Sequence, residues 1–246
     1  MKKPLIIFVA IPLLINLVLI GLYFSGSTAL QQWVAPTIDW LPRNSWREFG
    51  LLEMLQNLFL LAVIGILLLT AVRATYLLDK ICFVGAAAVF LFLFAEEIDY
   101  GIHFYEFVTG EYSGIEQRNW HNQRTDGEQN VKRFKQLMDV TMALLFIVLP
   151  LVKNRIPIAF LQTIAPSRWF IAGFAVGIGM ANVAHLLDDA GLATLNGVEG
   201  NLAGNISEFR ELSNYYFFVI YALQLLKTGR IFGPAPEPEE PPAATA

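Results

Sequence analysis

The residues able to do chemistry in this chain are three histidines and a set of acids spaced around them. His103, His121 and His185 are the only histidines among 246 residues. His103 stands three residues before Glu106, and His185 three before Asp188. On a helix, residues three apart share a face, so each pair could grip one ion from one side. Imidazole nitrogen with carboxylate oxygen suits Zn, Mn or Fe. A divalent ion so bound would lower the pKa of a water and let it attack an ester, amide or phosphoester. His103, Glu106, His185 and Asp188 are therefore the candidate metal ligands, and Glu96 or Glu97 the candidate catalytic base. The Glu-x-x-His signature of di-iron bundles does not occur, because here the order is reversed.

Further polar residues gather near these. In the run from Glu96 to Glu106, a continuous helix at ~100° per residue would bring Glu96, Asp99, His103 and Glu106 within about 80° of one another. Asn182, His185 and Asp189 would share a second face, with Asp188 beside it. Glu208, Glu211 and Tyr215 line up on a third segment, and Glu53, Gln56 and Asn57 on a fourth. A structural role competes with the catalytic one. Carboxylates at helix N-termini complement the macrodipole, which accounts for Glu53, and for Glu208 and Glu211 behind Ser207 as N-cap. Glu96, Glu97, Asp188 and Asp189 come at the C-terminal ends of their segments, where the dipole opposes them. Those four acids, with His103 and His185, carry the functional argument.

The elements that must position these groups are membrane helices. The chain is 55% hydrophobic and 15% charged, with a mean hydropathy of +0.51. Soluble domains carry about a quarter charged residues. The composition excludes an ordinary soluble enzyme and a disordered protein. With 17 basic against 21 acidic residues and no long basic run, it also argues against a nucleic-acid partner. Cys82 is the sole cysteine, so no intrachain disulfide forms.

A span needs roughly 20 apolar residues. Candidates are 4–24, 51–72, 77–95, 137–152, 169–187 and 212–226, giving an all-α bundle of six spans over residues 1–232. The run at 4–24 is too long for a signal peptide and lacks a clean cleavage site. Short loops holding Arg73 and Lys80, and Lys153, Arg155 and Arg168, set both termini in the cytoplasm by the positive-inside rule. All three histidines and the four polar segments then fall at the outer face, as one cavity open to the periplasm. Trp33, Trp40 and Trp46 place the first outer loop along the membrane surface. The Pro/Glu-rich tail, 233–246, reads as disordered.

The long loop from Glu96 to Gln136 holds Asn119-Trp120-His121-Asn122. His121 is either a third imidazole over the cavity or an exposed loop residue. Lys132, Arg133 and Lys135 suit lipid phosphates. Gly173-x-x-x-Gly177 fits close helix packing better than a hinge. A transport path lacks stepping stones, since the third span is apolar from Cys82 to Ala95.

Glu96-Glu97-Ile98-Asp99-Tyr100-Gly101, followed by Asn119-Trp120-His121-Asn122, resembles a pattern in uncharacterised bacterial polytopic membrane proteins. There a Glu-Glu pair and an aromatic-Gly step precede an Asn-x-His-Asn motif, and the resemblance brings no activity with it. More remotely, a small helical membrane protein with histidines and acids at one leaflet is similar to the CREST hydrolases, which include alkaline ceramidases and resemble PAQR receptors. That similarity implies seven helices and a zinc site of three histidines and an acid that cleaves lipid amides. This chain departs from it, with six spans, no His-x-x-x-His pair and no matching serine motif. Only a His/acid site carries over, onto His103, His185 and Asp188. The expectation is a bacterial inner-membrane protein, a metal-dependent hydrolase of a lipid or lipid-linked substrate. The alternatives are a non-enzymatic scaffold, lipid-binding protein or complex subunit, with Arg118, Arg124 or Arg210 pairing the acids, and thirdly an ion-coupled transporter.

Overall fold

The computed structural model describes residues 2–37, 47–115, 124–125, 128–202 and 205–232. The chain is mostly helical. Five helices are long and apolar enough to cross a membrane: α1 (Lys3–Tyr23), α3 (Leu51–Arg73), α4 (Leu77–Glu97), α6 (Gln136–Arg155) and α8 (Trp169–Asp189). Short helices α2 (Thr28–Val34), α5 (Ile102–Thr109) and α7 (Ala159–Ile164) lie between them, and α9 (Glu208–Thr228) closes the bundle. The regular helix leading into α6 opens at Asn130, and α9 opens at Glu208. Both start earlier than their apolar stretches, because an amphipathic or acidic first turn forms helix without raising hydropathy.

The outward surfaces are apolar. Leu58, Leu61, Leu68 and Val72 of α3, and Val84, Val89 and Leu91 of α4, are exposed. The polar Glu53, Gln56, Asn57 and Thr70 of α3 face inward and are buried. Polar groups inside and apolar groups outside is the arrangement that hydrocarbon demands.

Helix α9 is the axis of this arrangement. From Glu208 to Leu226 only Leu223 is exposed. Its contacts fix the direction of every long helix. Asn16 Nδ2 of α1 donates to Ser213 Oγ at 3.0 Å, and Tyr216 Oη donates to the Ile7 carbonyl at 2.7 Å. Gln56 of α3 meets Glu208, and Phe59 meets Tyr216. Phe90 of α4 packs on Phe218. Asp139 of α6 lies 3.7 Å from Arg210, and Phe146 packs on Phe218 and Tyr221. Phe174 of α8 packs on Phe217, and Gln224 accepts from the Ser167 amide. Thus α3 and α6 run parallel to α9, and α1, α4 and α8 run against it. The six long helices alternate up and down, which leaves residues 2 and 232 at one end of the bundle.

Two prolines shape α1 and α6. Pro12 and Pro150 lack an N–H and crowd the carbonyl four residues earlier. Each is preceded by a π-helical turn, Ile6–Ala10 and Leu144–Val148, which widens the helix at that point. Phe8 is the residue deprived of its i+4 donor, and its carbonyl lies against Gly173 of α8. A Cβ at Gly173 would come within 2.9 Å of that oxygen and 2.6 Å of Phe217 Cε1. At Gly177 it would meet Ser213 Cβ at 3.0 Å. These two glycines let α8 close on α1 and α9, as their spacing suggests. Gly179, on the open side, has nothing within 4 Å.

Gly173→Ala should therefore destabilise the bundle by about 1–3 kcal/mol through overpacking against a backbone atom. Gly179→Ala should be neutral or slightly stabilising. Thermal unfolding in detergent distinguishes them, and equal melting temperatures would refute the packing assignment.

Candidate functional site

The acids collect at the end of the bundle where α4 stops and α3 and α9 begin. α4 ends at Glu97, and Ile98 caps it in a bridge conformation (φ −89°, ψ 17°). Asp99, Tyr100 and Gly101 then all take positive φ, at 48°, 53° and 85°. Left-handed backbone suits glycine but costs other residues of order 1 kcal/mol or more each. This turn redirects the chain into α5, so the helix does not continue from Glu96 to Glu106. The shared helical face expected for Glu96, Asp99, His103 and Glu106 is replaced by a break. All four are nevertheless buried, at 2%, 7%, 0% and 0% exposure. The turn folds α5 back so that its buried face and the end of α4 both point inward.

Glu96 and Glu106 have identifiable partners. Tyr100 Oη donates a short hydrogen bond to Glu96 Oε1, an i, i+4 pair straddling the break. Glu106 Oε1 accepts from the Ser113 amide at 2.8 Å and the Ser113 hydroxyl at 2.6 Å. It thereby ties down the segment leaving α5. His103 is enclosed by aromatic rings, with Phe104 at 4.4 Å and Phe49 at 5.4 Å between centroids.

Glu97 points toward α9. Tyr215 Oη donates to Glu97 Oε1 at 2.5 Å. Glu208 and Glu211, two turns and one turn before Tyr215, are close enough to act electrostatically on the same phenol. From α3, Gln56 Nε2 donates to the Glu208 carbonyl at 3.0 Å and to Glu208 Oε2 at 3.3 Å. Glu53 is buried one turn earlier at 2% exposure, and Asn57 at 6%. Among the described residues neither side-chain polar atom of Asn57 has a hydrogen-bond partner. Helices α3, α4 and α9 thus join Glu97, Glu208, Glu211, Tyr215 and Gln56 into one polar cluster.

The second histidine pair stands apart from this cluster. His185 and Asp189 are exposed, and Asp188 is half-buried. Asp188 interacts with His185, Asp189 and Glu199, the last from the hairpin that pairs Thr194–Leu195 with Val198–Glu199. Among the described residues no three of His, Cys, Asp and Glu gather closely enough to hold a metal ion. His121, Arg118, Trp40 and Trp46 lie outside the described residues. Trp33, on α2, is 68% exposed, consistent with a helix resting at the headgroup level.

Spacing alone hinted at some of this. Tyr100 follows Glu96 by four residues, a distance at which helical side chains meet. Nothing local marks Ser113 as the partner of Glu106. The Asn196-Gly197 dipeptide, at φ 53° and 78°, is a strong hairpin signal that explains why Glu199 comes back toward Asp188.

The Glu96 hydrogen bond, with burial and the charge of Glu96 as lesser causes, pushes the Tyr100 phenol up to about 12 from its ordinary 10.0. The folded chain keeps this proton where the unfolded chain loses it. The associated stability is complete below pH 10 and is lost as pH rises toward 12. Phenolate absorbance of wild type minus Tyr100→Phe should show one phenol titrating near 12, and titration near 10 would refute the pairing. Comparison of the chain with protein-family models, curated proteins and solved structures finds no match.

Proposed function

We propose that this chain is a six-span protein of a bacterial inner membrane with both termini cytoplasmic. On this reading α9 is the sixth span and the Glu97–Tyr215 cluster is an acid–base site facing the periplasm. Its substrate is a lipid or lipid-linked molecule, which it hydrolyses or otherwise modifies. The observation that carries the proposal is the 2.5 Å hydrogen bond from Tyr215 to Glu97, made beside Glu208 and Glu211 inside an apolar bundle. The bond places an O–H donor against a carboxylate acceptor, with two further carboxylates beside them. A group that can take up and return a proton within reach of substrate is what general acid–base catalysis requires.

Glu97 and Glu96 are the residues proposed to act. Both close α4, where the negative end of the helix dipole opposes a carboxylate, so helix stability gives no reason for them. Glu53, Glu208 and Glu211 open α3 and α9 and have a structural role available. The exposed apolar flanks of the helices at this end give a lipid substrate access from the bilayer.

A second reading, a non-enzymatic scaffold or complex subunit, is favoured by the local bonds of Glu96 to Tyr100 and of Glu106 to Ser113. There the acids hold the turn and the segment after α5. A metal-dependent form with Zn, Mn or Fe would centre on His103. His103 is wholly buried, and His185 is exposed.

Mass spectrometry of lipids from membranes containing equal amounts of wild type, Glu97→Gln and Tyr215→Phe tests these readings. Wild type should deplete or create a lipid species, and Glu97→Gln should lose that effect by about 100-fold or more. Identical lipid profiles for wild type and Glu97→Gln would reject the enzyme in favour of the scaffold. Elemental analysis of purified protein should show no stoichiometric metal. About one ion per chain, lost in His103→Ala, would replace the metal-free site by a metal-dependent one.

A further inference from the structure

Helix α5 reverses the pattern of a helix that faces water. His103 and Glu106 are turned wholly inward. Its outward side carries Phe104, Tyr105 and Val108, the last two at 62% and 82% exposure, with Phe107 exposed at the edge. At 100° per residue, Phe104, Tyr105 and Val108 fall within about 100° of one another, so they form one strip. Thr109 is exposed as well, but its hydroxyl donates back to the Tyr105 carbonyl at 2.9 Å. Tyr100 and Tyr112, just before and after the helix, are also exposed.

The level of α5 is set from two sides. α4 has 21 residues, which at 1.5 Å per residue is about 30 Å, the thickness of a hydrocarbon core. The turn at Asp99–Gly101 therefore comes where α4 reaches the boundary of that core. Phe49, just before α3, lies against both turns of α5. Its ring centroid is 5.4 Å from those of His103 and Phe104 and 4.7 Å from that of Phe107. α5 thus stays at the level of the first turn of α3 and does not rise away from the bundle. Leu51 and Met54 are exposed in that same turn, so the apolar surface of α3 continues past Phe49 onto α5. Tyrosine-bearing surface at this level suits the headgroup region, where an apolar ring and a polar tip are both accommodated.

We infer that α5 lies in the headgroup layer and that its outward strip enters the boundary between headgroups and acyl chains. The bilayer is the partner that covers this face. Interfacial helices turn their polar side to water. Here that side closes over the end of the bundle and carries His103 and Glu106 into it. α5 is held by lipid on the outside and by the bonds of Glu106 to Ser113 within. The inference rests on the proposed passage of the long helices through a bilayer. It is independent of the acid–base reading and of which face is cytoplasmic.

The test is power saturation of a nitroxide attached at Val108→Cys, in the full chain carrying Cys82→Ala and reconstituted into phosphatidylcholine vesicles. Oxygen partitions into lipid, and a nickel chelate stays in water. At Val108 oxygen should relax the label roughly twofold or more above the chelate. Tyr105→Cys should agree, which guards against a local effect of one variant. Val89→Cys, outward in the middle of α4, should favour oxygen, and Glu111→Cys, exposed just past α5, should favour the chelate. A label at Val108 relaxed more by the chelate, with Val89 still favouring oxygen, would overturn the inference alone. Access of neither reagent to Val108 would also overturn it, in favour of a protein partner over the strip. Preference for the chelate at Val89 would overturn it together with the reading of the spans.

Discussion

The bundle is organised by the need to keep a polar helix out of hydrocarbon. Helix α9 carries Glu208, Arg210, Glu211, Ser213, Asn214, Tyr215 and Gln224 within one 21-residue helix. A segment of that composition cannot face lipid, because each unsatisfied polar group there costs several kcal/mol. On the proposed reading of α9 as a sixth span, it would sit at membrane depth only if other helices enclose it. The five more apolar helices pack around it, and four of them, α1, α3, α4 and α6, bring a polar side chain to α9. Asn16 goes to Ser213, Gln56 to Glu208, and Tyr215 reaches Glu97. Gly173 and Gly177 follow from the same requirement, since α8 must approach until backbone meets side chain.

The acid end extends this logic into strain. α4 stops at Glu97 by three successive left-handed residues, two of them not glycine. Such a turn persists only where its surroundings over-determine it. Here the Tyr100 bond to Glu96 holds one side. The burial of Asp99, His103 and Glu106, with the Ser113 bonds, holds the other. A simpler break with glycine throughout would serve a scaffold equally well. The left-handed positions of Asp99 and Tyr100 are a cost, offset in part by the bond from Tyr100 to Glu96.

The helical architecture was legible in the sequence because hydropathy reports directly on residues that face lipid. Spans at 4–24, 51–72 and 169–187 differ from the observed helices by a few residues. α9 was the hardest, since its sheath of protein relaxes the demand for apolar residues and the apolar run shortens to 212–226. The alignment of Glu208, Glu211 and Tyr215, and of Glu53, Gln56 and Asn57, was readable from the 3.6-residue period. The joining of these faces to Glu97 was readable from the alternation of helices. Two features were not. The break at Asp99 is a three-residue backbone choice that a periodicity argument smooths over. The outward face of His185 depends on how α8 is rotated, and Gly173 and Gly177 set that rotation. With those glycines against α9, position 185 turns away from the axis. The spacing of His185 and Asp188 places them together on α8, with His185 exposed and Asp188 half-buried.

The middle of the bundle decides how the acid end can work. Below Tyr215 the interior is filled by aromatic rings. Phe146 stacks on Phe170 and Phe174 at 4.9 and 5.2 Å, Phe8 meets Phe170 at 4.8 Å, and Phe217 and Phe218 close the layer from α9. The phenols of Tyr216 and Tyr221 bond to backbone carbonyls of Ile7 and Ile164. Their protons are committed to main-chain acceptors and do not extend the carboxylate cluster inward. Proton or cation transfer across the bundle needs a chain of polar groups or water, and this layer interrupts it among the described residues. On the proposed reading, protons exchanged at Glu97 and Tyr215 would come from and return to one face, and substrate would reach the site from that face or from the bilayer beside it. That favours chemistry or binding at one membrane surface over coupling between two.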